Sequence, residues 1–165
     1  MSREFSLGGD NLTLANQAVT LLFLNPPAAP NLNTLFLRLW ASQQSSTTSN
    51  MQRIQAETQV TAFPTLVSAT ARHLKFADGT ASIYTGNTTG AAGTSGINAS
   101  AEGAGTKTVM WGDNFNILNG YLWVPTPREQ IDMPAGSASG FGLFLPAAAV
   151  SLGIWACGAN FAEGV

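Results

Sequence analysis

Residues 11–37 run for 27 positions without a charged side chain, and residues 133–162 run for thirty more. Such stretches must be buried in protein, sunk in a membrane or surfaced with neutral polar groups. A membrane-spanning helix needs about 20 mostly apolar residues. Asn11, Asn16, Gln17, Asn25 and the pair Pro26-Pro27 break the first stretch. The second is nearly all apolar from Phe141 to Cys157, but Pro146 sits in its middle and Gly140, Gly142 and Gly153 punctuate its flanks. Both read as strands separated by turns, and no membrane partner is expected.

Periodicity extends that reading along the chain. Leu35, Leu37 and Leu39 alternate with Thr34, Phe36, Arg38 and Trp40, the period of two that marks a strand. Residues 18–24 form an apolar run that stops at Asn25-Pro26-Pro27. Over residues 52–60, Gln52, Ile54, Ala56, Thr58 and Val60 share one face, with Arg53, Gln55, Glu57 and Gln59 on the other. Helix competes there, because Asn50 could cap it, but the alternation favours strand. Asp78-Gly79 and Asn119-Gly120 lie between apolar runs and predict hairpin turns. Residues 141–145 and the run to Cys157 predict a C-terminal strand pair. The expected fold is all-β: one domain over residues 1–165, an antiparallel β-sandwich that is jelly-roll-like, with about ten short strands.

Composition excludes several functions. Sixteen charged residues face 49 of Ser, Thr, Asn and Gln, and the net charge is −2. No broad basic face exists for a nucleic-acid partner. Cys157 is the one cysteine and reads as a small buried hydrophobe; no zinc site and no intrachain disulfide can be built. The N-terminus lacks the pattern of a signal peptide, which predicts use without export by that route. His73, the one imidazole, lies between Arg72 and Leu74 with no nucleophile elbow in the chain. Glu129 with Asp132 is the nearest carboxylate pair and reads as solvated loop beside Arg128. Asp113, Asn114 and Asn116 lack the spacing of a calcium loop. The glycine tract is no phosphate cradle, and the sequons at Asn11, Asn87 and Asn98 read as loops. No enzyme, cofactor or metal is expected.

Residues 85–106 stand apart, since all but Ile97 and Glu102 are Gly, Thr, Ala, Ser or Asn. A long Gly/Thr/Ala-rich loop is expected, either a flexible excursion or an arm that docks on a neighbouring subunit. The candidate inter-subunit contacts are Gly86, Asn87, Thr88, Thr89 and Ile97, joined by Tyr121 and Trp123 on their strand. Those two rings also raise a carbohydrate-binding alternative, which requires both to be exposed; packing is the competing role.

The segment from Asp113 to Glu129 carries Phe115-Asn116, Ile117-Leu118, Asn119-Gly120, the strand Tyr121-Leu122-Trp123-Val124 and then Pro125-Thr126-Pro127-Arg128-Glu129. It resembles a pattern in small structural proteins of tailed bacteriophages. An N-terminal strand around Phe5, the tract Ser42-Gln43-Gln44-Ser45-Ser46, the glycine-rich segment and the apolar C-terminus match their layout. The chain departs from it in lacking an acidic final strand and in the length of its glycine tract. The resemblance implies a capsid decoration or cement protein in the virion. Such a protein is made in the host cytoplasm, forms a homotrimer and binds the major capsid protein on the head surface. A tail, fibre or head–tail connection protein is the alternative.

Overall fold

The computed structural model describes residues 3–28, 32–75 and 79–164. They form β1 (Arg3–Thr13), β2 (Val19–Asn25), β3 (Thr34–Gln43), β4 (Met51–Val60), β5 (Thr65–Ser68), β6 (Arg72–His73) and β7 (Thr85–Gly86). Then follow β8 (Thr94–Ala101), β9 (Thr106–Asn116), β10 (Tyr121–Trp123), β11 (Asp132–Met133), β12 (Ser139–Leu145) and β13 (Ile154–Glu163). There is no helix among the described residues. The first sheet has the order β10-β3-β13-β1-β6, with β11 also on β3. The second has the order β5-β8-β2-β12-β4-β9, with β7 also on β8. All neighbours are antiparallel except β7 and β8.

Within these sheets lies a jelly-roll sandwich: β1-β13-β3-β10 packs on β2-β12-β4-β9. The steps from β9 to β10 and from β12 to β13 each pass from one sheet to the other, which corrects two turn expectations. Asn119-Gly120 links β9 of the second sheet to β10 of the first, so it crosses between sheets instead of closing a hairpin. Gly120 sits at φ 70°, a conformation that suits glycine. Likewise β12 and β13 are consecutive strands in different sheets, not a hairpin. The expected Asp78-Gly79 turn lies outside the described residues, and residues 81–84 beyond it form no strand. The alternation over residues 51–60 does make a strand, β4, with Ile54 and Ala56 buried.

The expected loop over residues 85–106 holds a full strand. β8 pairs with β2 through Ile97 opposite Leu22 and with β5 through Ile97 opposite Val67. Composition misled because small residues can still complete a backbone ladder, and Gly96 has backbone and Leu66 packed where a Cβ would sit. Residues 61–105 are thus an excursion that adds β8 and β5 beyond β2 and lays β6 along β1. It also covers the outer face of the second sheet. Phe23 points away from the inter-sheet core, lies where Gly140 leaves room, and meets Phe63 at a ring separation of 5.7 Å. This is why every residue of β2 is buried.

Between the sheets, Phe36 packs on Phe141 at 4.2 Å and on Phe161 at 6.2 Å, and Phe161 also meets Phe5 and Tyr84. Trp155, Phe115, Tyr121, Trp111 and Trp123 continue this layer toward the β9 and β10 edges. Ile97→Ala tests the ordering of β8. Its buried side chain should make the loss about 2–4 kcal/mol in denaturant unfolding. A free arm would give no change.

Candidate functional site

Four connections meet at one end of the sandwich: residues 14–18, 44–50, 117–120 and 146–153. None contains an ionisable side chain. Their polar groups are turned on one another. Gln52 Oε1 accepts from Val150 N at 2.8 Å, and Gln43 Oε1 accepts from Ser45 N at 3.1 Å and from Ser46 N. Ser45 Oγ accepts from Ile154 N at 3.2 Å, Ser49 Oγ from Asn116 Nδ2 at 2.6 Å, and Ser151 O from Trp155 Nε1 at 2.8 Å. Gln43, Gln52, Ser45 and Ser49 are therefore occupied within the chain. Among exposed neutral polar residues such as Asn16, Gln44, Thr47, Asn50 and Asn119 stand exposed apolar ones: Met51 is 60% exposed, Leu118 48%, Leu152 46%, Val150 45% and Ile154 38%. Clustered exposed apolar side chains of this kind mark surfaces that mate with another molecule.

A second apolar region adjoins this end along the β9 and β10 edges. β9 has eleven residues, pairs only with β4 and leaves its other side open. A bulge opposite Ala56 and Glu57 leaves Met110 without a ladder partner, and Val109 and Met110 are exposed. On β10 and just beyond it, Leu122 and Val124 are exposed as well. The excursion shields the opposite edges, so the open strand edge lies on this side. Long open edges are places where further chains add on.

Five of the charged residues serve elsewhere as internal fasteners. Lys107 Nζ lies 2.7 Å from Glu57 Oε1 and 2.7 Å from Glu102 Oε2, and 3.7 Å from the centre of the Phe144 ring. Glu102 also accepts from Thr20 N at 2.5 Å and Thr20 Oγ1 at 2.6 Å, tying the end of the excursion to β2. Glu163 accepts from Ser82 Oγ, from Ile83 N at 3.1 Å and from Arg3 Nη2 at 3.4 Å, tying the middle of the excursion to β13. Burial pushes the carboxyls of Glu57 and Glu163 above the usual carboxylate range, against the pull of their hydrogen-bond partners.

The structure separates the residues singled out from the sequence. Gly86 lies in β7, and Asn87 Oδ1 accepts from Thr88 N at 2.6 Å and Thr89 N at 3.2 Å in an exposed turn. Ile97 is buried against Gly9. Tyr121 and Trp123 sit at the far edge of the sandwich, next to Trp111. Tyr121 is only 8% exposed and Trp123 is partly buried, so the open pair of rings required of a sugar platform is not present. His73 Nδ1 accepts from Lys75 N at 3.0 Å, with its ring edge-on to Phe5. The Cys157 thiol donates to Leu21 O at 3.2 Å and is pushed up to about 12 by burial, which leaves it unreactive. Glu129 is held by Thr126 Oγ1 at 2.8 Å, while Asp132 belongs to β11. No group of three or more His, Cys, Asp or Glu able to hold a metal occurs among the described residues. The chain matches no family model, no curated protein and no solved structure.

A carboxyl with a raised folded pKa holds its proton more tightly in the folded chain. Stability is then greatest near and below the ordinary value of 4.5 and is lost as pH rises through the raised value. The melting temperature should therefore fall as pH rises from about 4.5 toward neutrality. Glu57→Gln should flatten that fall, and an unchanged slope would contradict the assignment.

Proposed function

We propose that this chain is a decoration, or cement, protein of a tailed-phage head. It seats its uncharged end on the assembled major capsid protein and stabilises that lattice. The observation that carries the reading is the convergence of four charge-free connections tipped by Leu118, Val150 and Leu152. Such an end has no charge to desolvate and gains from every apolar contact, which suits docking on protein and not on nucleic acid. The sequence pattern that resembles phage structural proteins runs along β9, through the turn at this end and into β10. It therefore borders the surface proposed to dock.

Copies of the chain meet along the open β9 and β10 side and form a closed trimer. Binding to the assembled shell but not to its dissociated subunits stabilises the shell by mass action. The role is mechanical and needs neither a reaction centre nor a cofactor. The virion surface is its site of action, after synthesis in the host cytoplasm.

Quantifying the chain against the major capsid protein in purified particles tests the placement. A copy number comparable with the major capsid protein is expected. A few copies per particle would move the chain to the tail or neck. The docking end is tested by Leu118→Lys together with Leu152→Lys, both exposed in the isolated chain. The melting temperature should stay unchanged while affinity for stripped shells falls at least about tenfold, a loss of roughly 1.4 kcal/mol. Unchanged affinity would remove this end from the interface.

A further inference from the structure

The outer face of the first sheet carries a trough that the assembly reading leaves unused. Gly8 on β1 and Trp40 on β3 both stand opposite Gly158 on β13. The indole lies across Gly158, where a Cβ would come within 2.1 Å of the ring. Trp40 thus forms a wall beside a floor of nearly bare backbone. The trough has a volume of about 380 Å³ and is lined chiefly by Ser6, Gly8, Asp10, Trp40, Thr70 and Arg72.

Strand register arranges its polar groups in rows. Ser6 faces Arg72 on one side and Asn160 on the other, and Asn160 faces Arg38. Asp10 lies four residues along β1 from Ser6, which at strand spacing is roughly 13 Å away. Asp10 therefore sits along β1 from the Ser6–Arg72 pair, while exposed Glu4, two residues before Ser6 on the same strand, borders that pair. Arg3 and Lys107 are spent on carboxylates, whereas neither Arg38 nor Arg72 has an ion-pair partner among the described residues. The Arg38 guanidinium lies over the Trp40 ring at 5.2 Å.

We propose that this trough binds an acidic oligosaccharide. A carboxylate on the sugar chain is taken by the Arg72 guanidinium, whose planar fork matches it. Sugar hydroxyls, which both donate and accept, suit the mixed rim of Ser6, Thr70 and Asp10. The apolar face of a sugar ring lies on the glycine floor beside Trp40, where missing side chains permit close approach. The trough is shallow and open, which fits a segment of a linear chain better than an enclosed small molecule. This surface is separate from the docking end, and the inference does not rest on the virion reading.

The test uses the intact, isotope-labelled chain, titrated with a sialic acid hexamer, hexagalacturonate, maltohexaose and inorganic phosphate. Saturable shifts of the Gly8 and Gly9 amides and the Trp40 indole N–H are expected with at least one acidic hexamer. Maltohexaose should bind at least about tenfold more weakly. Arg72→Gln should reduce the affinity for the acidic hexamer by a similar factor, and Asp10→Asn should weaken it less; both residues are exposed and make no ion pair among the described residues. The proposal is overturned by no saturable shift with either acidic hexamer, by an equal response to phosphate, by equal affinity for maltohexaose, or by unchanged binding in Arg72→Gln.

Discussion

Two carboxyl groups, the half-buried Glu102 and the buried Glu163, hold the excursion of residues 61–105 against the sandwich, and the asymmetry of the molecule follows from that fastening. Glu102 reaches Thr20 and Lys107, while Glu163 takes Ser82, Ile83 and Arg3. With the excursion in place, β8 and β5 extend the second sheet and β6 covers β1. Phe23 then has Phe63 over it instead of water. The edges on one side are shielded. Those of β9 and β10 stay open.

Charge is distributed by the same logic. Few ionisable groups are present, and several of them form internal ties across the excursion. The four connections at the opposite end hold their loops together with neutral amides and hydroxyls, Gln43 and Gln52 above all. Neutral hydrogen bonds within the chain cost no exposed charge and leave the apolar tips outward. Apolar tips gathered at one end favour contact with another apolar surface.

Much of this was legible in the sequence, but not where it mattered most. Period-two alternation identified β3 and β4, and the uncharged stretches were visible at once. Their convergence was not, because it follows from strands that alternate between sheets, and Asn119-Gly120 looks the same whether it closes a hairpin or crosses a sandwich. Composition alone made residues 85–106 appear unable to order. β8 is ordered by backbone pairing on both sides and by the apolar anchors Ile97 and Ala99. The trough on the first sheet was hidden for the opposite reason: Gly8 and Gly158 lie 150 positions apart and meet only through the pairing of β1 with β13.

The central claim is that the charge-free end makes the contact with the shell. Its most direct test is the affinity of the purified chain for stripped shells, measured from low to molar sodium chloride. Apolar burial and neutral hydrogen bonds are little screened, so the account predicts affinity that stays flat or strengthens as salt rises. A steep loss of affinity with salt would show that ion pairs carry the contact, and would contradict it.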